Sequence, residues 1–215
     1  MKKLLFFAFI FLGIISSQAQ EVFKTENGKY VLKNMAGNIV TNQEYDQILY
    51  SKNCTCDKDI IVVRKGEKWG AIDTNGVEIL ALTYEHISRF EDGIATAKLN
   101  GKWGFIDKTG KVIIPFKYDM TLNFYQGIAA VSMDNKFGFI NKEGELIIPY
   151  QYDDVSNFTY VGKGEKIEAS NAKYALVFIG KKRYFIDKSG NIVKAKKVEQ
   201  NLPLKGWIGK ESRPK

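Results

Sequence analysis

The chain has 215 residues, 45% of them hydrophobic and 13% aromatic, with 19 glycines and only four prolines. This balance excludes a disordered or collagen-like chain, and the length suits a single domain. The formal charge is +8, but lysines are spread through every turn segment, the ordinary solvated face of a β protein and not a nucleic-acid surface.

Residues 1–19 have the form of a secretory signal peptide. Lys2 and Lys3 make a basic start, residues 4–15 are an apolar core, and Ser17 and Ala19 are the small residues a signal peptidase reads. Twelve apolar residues fall short of the roughly 20 a spanning helix needs. Cleavage after Ala19 would start the chain at Gln20 and lower the charge to 30 − 24 = +6. A periplasmic or secreted protein is predicted, with no transmembrane segment once the signal is removed.

From there the chain repeats itself. Residues 101–119 match residues 135–153 at 11 of 19 positions, and residues 67–85 match residues 101–119 at 8 of 19. Degenerate copies flank these, so units fall near 28–48, 66–87, 100–120, 134–155 and 180–194. They make one repeat domain over 20–195, followed by a basic tail over 196–215. Turn glycines 37, 76, 110, 144 and 190 are spaced by 39, 34, 34 and 46 residues. The 39 marks a small insertion around Cys54 and Cys56. The 46 marks a larger one near residues 162–170. Drifting end copies are expected where a repeat caps the stack.

Each unit reads as three short strands. In the third copy, residues 93–99 form a strand, and Asn100-Gly101 supplies a two-residue hairpin turn. Residues 102–106 return, and 107–110 make a second turn with Asp107 bonding its own backbone. Residues 111–114 form the third strand, stopped by Pro115. Residues 116–126 then lead to the next unit. Adjacent apolar pairs such as Phe105-Ile106 and Ile113-Ile114 predict that both faces of each unit are covered. The expected fold is all-β, an open solenoid of stacked three-stranded units of about 34 residues. A propeller-like ring is the alternative, set aside because three strands are thin for a blade.

The recurring Lys-Trp-Gly-Phe-Ile-Asp-Lys-x-Gly-Lys-x-Ile-Ile-Pro-x-x-Tyr-Asp pattern resembles the WG β-repeat family of bacterial proteins, most closely over residues 67–153. The resemblance implies a hairpin-based interaction or scaffolding module, with no catalytic residues to carry over. Trp69, Trp103 and Phe137 share one slot, each followed by a glycine (Gly70, Gly104, Gly138). The structural reading is a large ring lying across a backbone with no Cβ in its way. The functional one is an exposed ring stacking on a sugar or peptide.

Chemistry finds little purchase. The turn acids Asp73, Asp107 and Asp187, with Asn141 in the same slot, are better read as turn caps than as calcium ligands. The lone His86 has no nucleophile or orienting acid assigned to it, and no phosphate loop or zinc motif is present. No catalytic, cofactor or metal site is predicted. Cys54 and Cys56 allow three readings: a strained local disulfide, which is favoured, a soft-metal pair, or a bond to another chain. The expected function is a non-enzymatic interaction module binding an unknown protein or cell-envelope component, without nucleic acid. The alternative is a carbohydrate or peptidoglycan binder using rings such as Phe116, Tyr125 and Tyr150.

Overall fold

The structure, a computed structural model, describes residues 21–50, 56–158 and 172–194. The signal segment, Cys54, the whole 162–170 insertion and the 196–215 tail therefore lie outside the described residues. What is described is all-β, a succession of small antiparallel sheets without a closed barrel.

An N-terminal hairpin pairs β1 (Glu21–Lys24) with β2 (Tyr30–Lys33). Four meanders follow. Sheet I contains β3 (Gln47–Leu49), β4 (Ile60–Lys65), β5 (Lys68–Asp73) and β6 (Glu78–Tyr84). Sheet II contains β7 (His86–Ile87), β8 (Ile94–Leu99), β9 (Lys102–Asp107) and β10 (Val112–Tyr118). Sheet III contains β11 (Met120–Thr121), β12 (Ile128–Met133), β13 (Lys136–Asn141) and β14 (Leu146–Tyr152). Sheet IV contains β15 (Asp154–Val155), β16 (Ala175–Ile179), β17 (Lys182–Ile186) and β18 (Ile192–Val193). In every sheet the spatial order follows the chain.

Each unit thus has four strands where the sequence pattern gave three. The extra strand is the two- or three-residue piece just after the Tyr-Asp or Tyr-Glu pair, inside what reads as a linker; it is too short to show alternation. Pro115 does not end its strand either. β10 runs through it, because an edge strand need not donate every N–H. The architecture is the open succession of stacked sheets expected from the sequence, with four strands per sheet.

The hairpin turn at Asn100-Gly101 is as predicted, with φ of +51° and +76°, the left-handed pair that a tight two-residue turn needs. The second turn closes around the glycine that sets the period: Asp107 accepts from the N–H groups of Thr109 (2.8 Å) and Lys111 (3.0 Å), and Gly110 sits at φ +83°. Asp73 and Asp187 do the same for Asn75 and Val77, and for Ser189 and Asn191. Asn141 caps Glu145. This explains how one Asn slot is tolerated.

The sheets stack face to face, and the core lies between them. Ile60, Val62, Ala71 and Leu80 of sheet I meet Ile87, Ala95, Ala97 and Ile106 of sheet II. Phe105, Ile114 and Tyr118 on the other side of sheet II meet Ala129, Val131 and Ile140 of sheet III. Sheet III then meets sheet IV through Phe139, Ile148 and Tyr152 against Val155, Ala175 and Val177. Phe105 and Ile106 are both fully buried, one on each face, as predicted. Ile113 and Ile114 are not. Val112 pairs with Ile106 and Ile114 with Phe105, so Ile113 is an extra, bulged residue, which re-aims the side chain. Ile113 is exposed while Ile114 is buried. The same bulge exposes Ile79 and Ile147.

Candidate functional site

The strongest constellation is a coupling element repeated between units. The Lys of Lys-Trp-Gly opens the third strand, and seventeen residues on the Tyr-Asp pair closes the fourth. The meander brings both to one end of the sheet. Lys102 bonds the Asp119 carboxylate at 2.5 Å, Lys136 bonds Asp153 at 2.6 Å, and Lys29 bonds Asp46. The other carboxylate oxygen reaches into the next unit and caps its hairpin turn. Asp46 accepts from the Gly66 N–H (2.7 Å), Asp119 from Asp134 (2.9 Å) and Asp153 from Gly180 (2.6 Å), while Glu85 serves Gly101 (2.9 Å). Hydrogen bonds to the ionised form lower a carboxyl pKa. Lys102 first, with the Asp134 and Asn135 N–H groups, holds Asp119 below its ordinary range.

At the opposite end a second lysine series links sheets. Lys108 in the second turn of sheet II reaches Asp59 (2.7 Å) and Asp57 (3.3 Å) ahead of β4. Lys142 approaches Asp92, and Lys188 bonds Gln126 at 2.7 Å. Each crosses to the loop before the second strand of the preceding sheet.

The Trp-Gly pairs divide into two roles. A Cβ on Gly104 would stand 2.7 Å from the Ile114 carbonyl oxygen and 3.0 Å from the Phe116 ring. Gly70 and Gly138 face Leu80 and Ile148 oxygens at 2.5 and 2.6 Å. The glycine therefore admits the neighbouring outer strand, which kinks over it. The ring against Gly104 and Gly138 is Phe116 or Tyr150, one strand away, and not the preceding aromatic as predicted. Trp69 and Phe137 are buried, Trp103 only half so.

His86, the lone histidine of the chain, sits between two of these rings. Its imidazole lies 5.0 Å from the Trp69 ring and 5.2 Å from that of Trp103. Among the described residues its Nδ1 is a buried polar atom without a hydrogen-bond partner. Burial, with Lys98 opposite it on β8, holds its pKa below the usual histidine range. The sequence carries no signal for this, because neighbouring copies place Met120 and Asp154 there. The lysine–acid coupling, by contrast, leaves a signal that could have found it, the constant spacing of seventeen residues from Lys to acid.

The rings named for carbohydrate stacking do not form an open stripe. Phe116, Tyr125 and Tyr150 are all half-buried, Phe116 and Tyr150 against the inter-sheet cores. Cys56 is disulfide-bonded, and Cys54 lies outside the described residues. No group of metal-binding side chains is present among the described residues, and no described helix is long and apolar enough to cross a membrane.

These features define a class, a β-repeat protein whose motif residues couple one small sheet to the next. Residues 69–103, 103–137 and 137–163 each match the WG containing repeat. The three matches run consecutively over residues 69–163, which is less than half of the chain. No curated protein matches the sequence. Among solved structures, a eukaryotic initiation factor is similar at 11% identity and a TM-score of 0.53, over 83% of this chain and 52% of that one. Hsv2 of Kluyvelomyces marxianus shares 13% identity at a TM-score of 0.45, over 84% and 58%. The extracellular domain of a one-component system from B. thetaiotaomicron shares 10% at 0.37, over 86% and 30%. The chain thus spans about half the length, or less, of these structures. Of the three, the first alone exceeds a TM-score of 0.5, and at that identity the likeness concerns fold.

Proposed function

We propose that this is a non-enzymatic, exported interaction module of the bacterial envelope, holding a protein or envelope component on one end of its sheets. The observation that supports this is where the units differ. Between the first and second strands the connection is residues 88–93 in sheet II and 122–127 in sheet III, but 50–59 in sheet I and 156–174 in sheet IV. In an antiparallel meander this connection and the second turn share an end, so both insertions leave from one side. The opposite end is held constant by the lysine–acid coupling. Variable loops on a fixed scaffold are where repeat proteins place recognition.

The test is affinity capture from envelope fractions with the mature chain and with a variant lacking residues 162–172. Binding partners retained by the intact chain and lost by the deletion, with the melting transition unchanged, are expected. Equal capture by both would move recognition off this end.

A further inference from the structure

Large aliphatic side chains stand exposed at one recurring place in the units. Ile79, Ile113 and Ile147, the bulged residues of β6, β10 and β14, each lie three places past a turn glycine. Val77, Val112 and Leu146 come one or two places past the same glycines, and Ile39 and Ile192 continue the series after Gly37 and Gly190. These make up eight of the eleven exposed large hydrophobic residues among those described. A bulge needs only an extra residue, and edge strands are ordinarily guarded by charge. Folding of the sheets therefore gives no reason for isoleucine at all three bulges.

The exposed positions join up from sheet to sheet. Each turn glycine is seated on the outer strand of the preceding unit. An added Cβ at Gly110 would meet Leu80 at 2.9 Å, at Gly144 it would meet Ile114 at 3.4 Å, and at Gly190 Ile148 at 3.3 Å. Gly76 faces the Val40 backbone in the same way. The aliphatic residues that follow each glycine thus continue the row of the sheet before. Contiguous exposed apolar surface of this kind marks an interaction site.

The charges set into the row decide what covers it. Over the four residues after each turn glycine, each sheet shows a single charged and exposed side chain: Glu78 in sheet I, Lys111 in II, Glu145 in III and Lys194 in IV. Their signs alternate along the row. An anionic lipid surface would call for one sign throughout. An incoming strand would meet the bulges and, in sheets II and III, Pro115 and Pro149, which guard an edge against pairing. An alternating row of four, however, is its own complement when reversed. With a two-fold axis crossing it between sheets II and III, Lys111 faces Glu145 of the second copy and Glu78 faces Lys194, each pair occurring twice. Laid in the same direction, sheet on like sheet, every charge would face its like.

We propose that this aliphatic row docks on the same row of a second copy of the chain, the two running in opposite directions to form a two-fold dimer. Self-complementary contacts of this type are the commonest way a chain closes with its copy. The inference rests on the fold and not on the envelope role above.

The test is sedimentation velocity of the mature chain over a range of concentrations, where a monomer–dimer equilibrium is expected. Ile113→Thr with Ile147→Thr keeps strand-favouring residues at the bulges. It is expected to weaken the dimer by about tenfold or more, with the β-sheet circular dichroism unchanged. Lys111→Glu or Glu145→Lys alone is expected to weaken it as well, and the two together to restore association, because the reversed charges again face opposite signs. A monomer at every concentration, a dimer indifferent to these changes, or a double reversal as weak as either single one overturns the proposal. Flotation with anionic lipid vesicles that the isoleucine variant loses also overturns it, by making a membrane the occupant. All these readings use the pure chain, so their failure leaves the capture experiment on envelope partners untouched.

Discussion

At the residue scale, two positions show why the repeat keeps what it keeps. Gly104 is conformationally ordinary, yet an added Cβ meets a carbonyl oxygen of the adjacent strand at 2.7 Å. Backbone cannot swing aside as a side chain can. Gly104→Ala is expected to cost about 1–3 kcal/mol in a urea melt, as overpacked sites do. Gly101→Ala meets open space and pays only for its left-handed φ of +76°, about 1–2 kcal/mol; a neutral Gly104→Ala would refute the close-approach reading. His86 gives the second position. Burial lowers its pKa in the folded state, so the unfolded chain takes up the proton first and stability drains away as pH falls. This contribution is complete above about pH 6.5, the ordinary histidine value, and is lost as pH drops toward the lower folded value. The groups facing it are Lys98 on β8, which Glu85 approaches at 3.6 Å, and Arg64 over the Trp69 ring. A protonated imidazole would add a further cation to that set. His86→Met, borrowing the residue of the next copy, is expected to flatten the decline in melting temperature between pH 8 and pH 5. Parallel curves for the two proteins would discard the argument.

At the element scale, the lysine–acid coupling is what makes neighbouring sheets share a fate. The acid is the stronger half of it, because Asp119 serves both Lys102 and the backbone N–H of Asp134. Asp119→Ala leaves a turn N–H without its cap and is expected to cost about 1–2 kcal/mol. Lys102→Ala removes one partly exposed ion pair and is expected to cost under about 1 kcal/mol. Urea melts of both variants at low and high salt check this. Only the lysine's share should shrink with ionic strength, and a lysine variant as damaged as the acid variant would contradict it. The lysines at the other end, Lys108, Lys142 and Lys188, look like plain solubilising residues in the sequence. In the fold each bridges to the preceding sheet.

At the scale of the whole molecule, no single unit can bury enough apolar surface, and the cores form only between units. The ends are therefore where the fold is exposed to failure. β1 starts at Glu21, two residues beyond the predicted cleavage site after Ala19, so processing would leave the first strand almost at the mature terminus. Mass spectrometry of protein recovered from its native host is expected to find a chain beginning at Gln20. An intact Met1 in a membrane fraction would instead indicate an anchored form.

The period of 34 residues, the two turns of each unit and the all-β class follow from sequence alone, because Asn-Gly, the Asx-capped turn and its glycine are local chemistry. Phe105-Ile106 likewise announces burial on both faces, since adjacent strand residues point opposite ways. What only the tertiary structure decided depends on contacts across strands and sheets. The two-residue first strand exists because a neighbouring edge holds it, and the bulge at Ile113 turns an apolar residue outward only through its register with β9. Gly104 is required by Ile114, ten residues ahead in the chain and one strand away in space. The pocket of His86 is assembled from Trp69 of one sheet and Trp103 of the next, and a distance of that kind is not written in any local pattern.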